Sequence, residues 1–297
     1  MTIPEAGVVE TVQDGLRRVL APNPSPMTHW GTNSFVIGEG RVAIVDPGPD
    51  DALHYDALMR ATAGETVTHI LVTHAHGDHS PLARRLSEVT GAPVVGFGPP
   101  DAGRSATMVR LHAAGLTGGG EGVDRAFRPD TTVGEGDNVT GDGWAVTVLH
   151  TPGHFAGHIA FEFDDLILSG DHVMDWSSSL VSPPDGDISA FMDTSRRLRD
   201  HGAKRLLPAH GGAINDPADR LGWLIDHRNA RGAGILAALG PKPQTLIAIT
   251  QAVYTDIPEN MIPAAARNVF AHLIDLVDRN IVTADPQLAA TASFRLR

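Results

Sequence analysis

Five short apolar segments of this chain stop on a histidine or an aspartate, and this recurrence restricts the possible folds more than any bulk property. "VAIVD" ends on Asp46, and Ile70 to Val72 runs into "THAHGDHS", with His74, His76, Asp78 and His79. "WAVTVLHTPGH" reaches His154, "LILSGD" reaches Asp171 and "RLLPAH" reaches His210. Short apolar runs bounded by turn residues read as strands. Strands whose ends carry the polar chemistry imply a sheet scaffold with one functional rim, the usual place for a site built on loops. The chain has no cysteine, so any metal at that rim must be held by nitrogen and oxygen.

The remaining pattern organises the chain around that rim. Ser34 to Ile37, the turn Gly38-Glu39-Gly40 and Val42 to Val45 form a hairpin. After the histidine cluster, Ser80 and Pro81 have the character of an N-cap and first helical residue, for a helix carrying Leu82, Leu86 and Val89. Residues 96–123 are rich in Gly and Pro around one short helix, which suits a surface excursion or lid. From Asp216-Pro217 the periodicity becomes helical, with Leu221, Leu224 and Ile225 on one face and Gly240-Pro241 as a stop. "TLIAITQAVY" and "PAAARNVFAHLIDLVDRNIV" read as two more helices, the second striped by Val269, Phe270, Leu273, Leu276 and Val277. A hairpin-like tail follows, and two helices with a wing suggest a small winged-helix module. The expected organisation is therefore a first domain over 1–215, a connecting helix over 216–239 and a second domain over 240–297.

Length and composition exclude several classes. At 297 residues the chain exceeds a minimal domain, and 42% hydrophobic with 20% charged residues is ordinary for a packed protein. No apolar run approaches the ~18 to 20 residues of a membrane span, so a soluble, cytoplasmic protein without a membrane partner is expected. A formal charge of −12 argues against a nucleic-acid binder, because such proteins neutralise phosphates with Lys and Arg.

One histidine at a strand end is usually structural, whereas seven N/O donors at one rim are enough for two metals with positions left open to water. His158, four residues after His154, reads as a support for a ligand or a cap on the next strand. His29, His112, His172 and His201 lack comparable context and read as surface or structural. The run Ser177-Ser178-Ser179, like Thr32 and Asn33, reads first as loop chemistry and only secondarily as substrate contact.

In their order, "VDPG", "THAHGDHS", "HTPGH", "SGD" and "PAHG" resemble the sequential motifs of the metallo-β-lactamase superfamily over roughly residues 30–215. The resemblance implies an α/β fold, an αββα sandwich with a dinuclear site at one edge, followed here by the winged-helix-like domain. Carried over by motif, His74, His76 and His154 would hold one metal, and Asp78, His79 and His210 the second. Asp171 would bridge the two, and Asp46 would stand behind them as a supporting carboxylate. A hydroxide shared by two divalent ions would be the nucleophile, with Asp78 accepting and returning protons. Zinc is the first expectation for both ions, and His/Asp sites also suit iron and manganese.

Departures from the family pattern narrow the activity. Asp171 in a "GD" context and the absence of cysteine argue against antibiotic degradation. The 39-residue interval from Asp171 to His210 (210 minus 171) leaves no room for the β-CASP insertion of nucleic-acid-processing relatives. The C-terminal third is similar to the subgroup containing β-lactamase-like endoribonucleases. Residues 240–297 nevertheless carry five Lys/Arg against five Asp/Glu, a poor phosphate grip that favours a packing or dimerisation role. The expected activity is hydrolysis of a small ester, thioester or lactone. The alternatives are single-stranded RNA cleavage and a mononuclear iron persulfide dioxygenase. The expected partner is a small-molecule substrate, with nucleic acid disfavoured and a homodimer open.

Overall fold

Residues 33–45 bury both alternating faces, Val36, Val42 and Ile44 on one side and Phe35, Ile37, Ala43 and Val45 on the other. A strand apolar on both faces must lie in a sheet covered on both sides. The computed structural model, which describes residues 3–118, 122–240 and 242–297, shows what covers it. The first part of the chain comprises β1 (Val9–Gln13), β2 (Leu16–Leu20), β3 (Asn33–Ile37), β4 (Arg41–Val45), α1 (Ala52–Ala61), β5 (Thr66–Leu71), α2 (Leu82–Thr90), β6 (Val94–Gly96), α3 (Ala106–Ala113) and β7 (Thr131–Thr132). The seven strands form one sheet in sequence order, antiparallel from β1 to β4 and parallel from β4 to β7. Next come β8 (Asn138–Thr140), β9 (Ala145–His150), β10 (Ile159–Phe163), β11 (Leu166–Gly170), α4 (Ile188–His201) and β12 (Arg205–Pro208). Their five strands make a second sheet ordered β12-β11-β10-β9-β8, antiparallel except for β11 and β12.

Three apolar layers result. Phe35, Ile37 and Leu71 meet Val148, Phe161 and Leu168 between the sheets. Leu58 of α1 and Leu82 and Leu86 of α2 cover the outside of the first sheet. Phe191 and Leu198 of α4, with Leu221 and Leu224 of α5 (Pro217–Ala238), cover the outside of the second. This is the αββα sandwich, with β4, β5, β11 and β12 ending together at one edge.

The C-terminal module contains β13 (Gln244–Thr245), α6 (Leu246–Val253), α7 (Ile262–Asp278), β14 (Val282–Asp285) and β15 (Ser293–Leu296), with a small sheet ordered β13-β15-β14. Phe270, Leu273 and Phe294 are its centre. It is a winged helix, and α7 has two covered sides: its apolar stripe faces the module's own core, and Ala271 joins the layer beneath α4 and α5.

Three local expectations need correction. The excursion over 96–123 is not merely surface, because Met108 and Leu111 of α3 are buried in the core of the C-terminal module. Gly119, Gly120 and Glu121 of that stretch lie outside the described residues, as does Pro241 of the expected helix stop; α5 ends at Ala238 with Leu239 as its cap. Ser80 does not cap α2; its hydroxyl donates to Asp124 Oδ2 at 2.8 Å, and Val89 on the far side of that helix is exposed.

Candidate metal centre

Each donor of the sequence pattern arrives from a strand end, and the backbone there is shaped to deliver it. Asp46, directly after β4, adopts φ 47°, a left-handed conformation that Asp tolerates better than most residues. This turn aims its carboxylate across the parallel neighbour β5. Oδ1 accepts from the Thr73 amide at 2.8 Å, and Oδ2 accepts from the Thr73 hydroxyl at 2.7 Å and from His79 Nδ1 at 3.0 Å. The Thr73 hydroxyl, having donated its only hydrogen, accepts from His74 Nδ1 at 3.0 Å. Asp46 therefore fixes the tautomer of two histidines, directly for His79 and through Thr73 for His74, leaving both Nε2 atoms free to face the rim.

The other rings are fixed in the same manner. His154 Nδ1 donates to the Leu180 carbonyl at 2.7 Å, and His210 Nδ1 donates to the Gly31 carbonyl at 3.1 Å. The loop carrying His210 is itself held by Asn33, whose amide donates to the carbonyls of Pro208 and Gly211. His158 stands behind the cluster. Its Nδ1 pairs with the Thr151 hydroxyl at 2.7 Å while its Nε2 accepts from the Asp171 amide at 3.1 Å, which positions Asp171 and leaves His158 no free ring nitrogen. Gly170 has φ 51°, and a Cβ there would stand 2.5 Å from His158 Nε2, so the glycine of "SGD" makes room for this support.

Two donor groups converge at the edge: His74, His76, His154 and Asp171, and beside them Asp78, His79 and His210. All seven side chains are buried. In the first group, His74 Nε2 and His154 Nε2 lie 2.8 and 3.0 Å from His76 Nδ1. With Nδ1 of His74 and His154 already carrying the proton, three lone pairs crowd one point. In the second, Asp78 Oδ2 is 3.1 Å from His210 Nε2 and 3.4 Å from His79 Nε2. Asp171 reaches both groups: Oδ2 lies 3.6 Å from His154 Nε2, and Oδ1 lies 3.3 and 3.5 Å from Nε2 of His210 and His79.

Several of these buried atoms have no hydrogen-bond partner among the described residues: both oxygens of Asp78, Oδ1 of Asp171 and Nε2 of His79. Buried polar atoms are seldom left so. Crowded lone pairs beside orphaned carboxylate oxygens are what divalent cations satisfy, and the donor set fits such ions. The electrostatics separate the groups. Burial, then the neighbouring histidines, holds His74 well below its ordinary value, and burial with His154 brings His76 down to about 3. Burial also opposes a charge on His210, yet the carboxylates of Asp171 and Asp78 raise it to about 10, and Asp78, Asp171 and Asp46 raise His79 well above the usual range. Burial would favour the neutral acids, but His79 and His210 hold the carboxyls of Asp78 and Asp171 low.

The centre opens into a cavity of about 140 Å³ with largely apolar walls, including Met27, Met174, Trp176, Leu180 and Met261. Ser177, Ser178 and Ser179 border it, whereas Thr32 and Asn33 do not. Of the histidines read as background, His29 stacks on Trp176 at a centroid distance of 4.5 Å, and His172 is buried with Nε2 3.0 Å from the Ser195 hydroxyl. His112 pairs with the Leu116 carbonyl, and His201 stands 3.6 Å from Glu162. Sequence reasoning missed Met261, Ala264 and Asn268, which α7 and the residue before it bring to the cavity. Trp176 had a signal, its place in the loop five residues after Asp171; the α7 residues had none.

Comparison with known proteins agrees with this architecture. The model of the metallo-beta-lactamase superfamily matches residues 27–210, and that of the beta-lactamase associated winged helix domain matches residues 245–290. A beta-lactamase-like protein 2 homolog of Drosophila melanogaster is 30% identical over 278 residues, covering 87% of this chain and 86% of its own. An atrochrysone carboxyl ACP thioesterase of Claviceps purpurea is 26% identical, covering 80% of this chain and 69% of its own. The crystal structure of a metallo-beta-lactamase family protein from Thermus thermophilus superposes with a TM-score of 0.77 at 25% identity, covering 97% of this chain and 100% of the other.

Proposed function

The chain belongs to the metallo-β-lactamase superfamily and is a metallo-hydrolase, and from that premise we propose that it hydrolyses a small ester, thioester or lactone at a centre holding two divalent ions. One observation carries the two-ion reading: the oxygens of Asp171 are divided between the donor groups, Oδ2 toward His154 and Oδ1 toward His79 and His210. In this reading His74, His76 and His154 hold one ion, Asp78, His79 and His210 hold the other, and Asp171 is shared. Zinc is proposed for both, with iron or manganese compatible with the same donors. Such ions lower the pKa of a held water toward ~7 and polarise the carbonyl under attack.

The chain's own residues supply the rest. Asp78 borders the cavity with oxygens that have no hydrogen-bond partner among the described residues, so it can accept the proton of the attacking water and return it to the departing alkoxide or thiolate. Asp46 and His158 hold His74, His79 and Asp171 in the orientation that presents their ligating atoms. Met27, Met174, Leu180 and Met261 provide an apolar wall for an acyl chain. A small substrate is supported by the cavity's size, and a thioester also by the likeness to the Claviceps thioesterase.

RNA is disfavoured as substrate by the use already made of α7. The stripe of that helix is buried, and Arg267 donates to the Thr117 carbonyl at 3.0 Å and lies 3.3 Å from the Ser182 hydroxyl. A recognition helix must offer its surface to a groove, and this one packs against its own chain. The test is a hydrolysis screen of thioesters, lactones, β-lactams and single-stranded RNA with metal-reconstituted protein, in air and under nitrogen. Turnover of thioesters or lactones, equal in both atmospheres, is expected. Turnover of RNA alone, or only in air, would replace this reading.

A further inference from the structure

Asn268 stands on α7 and belongs to neither donor group, yet it borders the same cavity. Its Oδ1 receives two hydrogen bonds, from the Val181 amide at 3.0 Å and from Arg228 Nη1 at 3.0 Å. Arg228 is itself 1% exposed, donates also to the Ser179 carbonyl and lies 5.1 Å from the centroid of Phe191. Two donors directed at one end of a side-chain amide decide which end is oxygen. The amino end is thereby fixed as well. Its one partner among the described residues is the Ala264 carbonyl at 3.5 Å, the limit of hydrogen-bonding range, and Ala264 is another cavity-bordering residue.

We infer that Asn268 Nδ2 is a substrate-binding donor, presented by the winged-helix module to a carbonyl oxygen of the substrate other than the one attacked. The scissile carbonyl would lie at the metal ligands His76, Asp78, His154, Asp171 and His210, which border the cavity. Asn268, arriving from a different part of the chain, meets an outer portion of the substrate, where a polar acceptor distinguishes one ester or thioester from another of equal length. The proposal rests on the hydrolase reading and names the class of substrate that reading would favour: an acyl compound carrying a second carbonyl, such as an amide. Arg228 and the Val181 amide are positioning groups in this scheme, since they act through Asn268.

The Asn268→Asp variant isolates the donor. An aspartate keeps an acceptor for Val181 and Arg228 and lacks the N–H, whereas Asn268→Ala removes both. The probes are S-butyryl-N-acetylcysteamine, which carries an amide, and S-pentyl butanethioate, which has a chain of equal length without one. In Asn268→Asp the ratio of kcat/KM for the amide thioester over the alkyl one should fall about 3- to 10-fold, through KM. Calorimetry with the non-hydrolysable butyl thioether of N-acetylcysteamine should show the same loss of affinity. The ligand-side counterpart requires no variant: an alkyl thioether of equal length should bind the wild type more weakly by the same factor. If the wild type binds the amide thioether, and Asn268→Asp binds it less tightly, while neither thioester is turned over, the thioester reading fails and the donor role stands. If the amide gives no advantage in the wild type, or the Asp variant retains ratio and affinity while the Ala variant loses both, Asn268 is a loop brace and the inference is overturned.

Discussion

Replacing Asp46 by Asn changes one atom and should disturb both halves of the metal centre, to different degrees. The Thr73 amide keeps an acceptor, now neutral, since Asn can still offer an oxygen at the position of Oδ1. At the position of Oδ2 an NH2 group would face two donors, the Thr73 hydroxyl and His79 Nδ1. The hydroxyl can rotate to accept, which turns its hydrogen toward His74 Nδ1 and transfers that ring's proton to Nε2, the atom needed for a metal. His79 Nδ1 loses a carboxylate acceptor outright. A neutral hydrogen bond contributes about 0.5–1.5 kcal/mol and one to a charged group about 1.5–3 kcal/mol. The group containing His74 should therefore lose roughly 2- to 12-fold in affinity and the group containing His79 roughly 10- to 100-fold, as is common for groups that orient ligands. Chelator-competition titration measures both constants. His76→Ala disables the first group and His210→Ala the second, so each background reports one site. An unchanged affinity in the group of His74 would refute the relay from Asp46 through Thr73, and a smaller loss in the group of His79 than in that of His74 would refute the ranking.

Replacing Asp171 by Ala should lower the bound metal below two ions per chain and abolish turnover, since the carboxylate that reaches His154 on one side and His79 and His210 on the other is removed; an Asp171→Ala protein with full metal by elemental analysis would sink the proposed bridging role. Phe270 is 3% exposed in the C-terminal core, so Phe270→Ala should destabilise the protein by ~3–5 kcal/mol in chemical denaturation. His54 is buried, with Nε2 2.8 Å from the Ser34 hydroxyl and Nδ1 unpartnered among the described residues, and burial brings its pKa down to about 4 despite the nearby charge of Asp51. The unfolded chain, titrating near 6.5, then binds the proton that the folded chain refuses, so stability should be complete above pH 6.5 and decline by ~1.4 kcal/mol per pH unit as pH falls toward 4. Denaturation midpoints across that window, compared with His54→Gln, would expose the error if both proteins declined equally.

The rim of the fold was legible because its signal is local and repeated. Asp46, Asp78, Asp171 and the four histidines His74, His76, His79 and His154 each follow an apolar run, as does His210, and a strand end leaves few places for a side chain to go. The sandwich was legible for a related reason, since segments such as 33–45 are apolar on both alternating faces and require cover on both. The cavity walls were not. Met261 and Asn268 reach the centre only because α7 packs beside α4 and α5, a matter of shape between distant segments that no periodicity records. The same holds for Met108 and Leu111, whose stretch looked like surface because its Gly and Pro content describes its loops and not the helix between them. Ser80 has the chemistry of an N-cap, but its side chain is turned toward Asp124 and no helix amide donates to its side-chain oxygen.

Met108 and Leu111 carry a consequence for how such a chain can be cut or recombined. They are encoded within the first domain and buried in the second, so the line drawn at residue 240 divides the sequence without dividing the core. Removing everything after that line would strip the cover from α3 and leave two large apolar side chains facing water. A graft that brings in a C-terminal module from a relative would have to bring the matching helix 106–113 with it. The heritable unit at this end of the protein is discontinuous: a segment of about eight residues and the last fifth of the chain must change together or not at all.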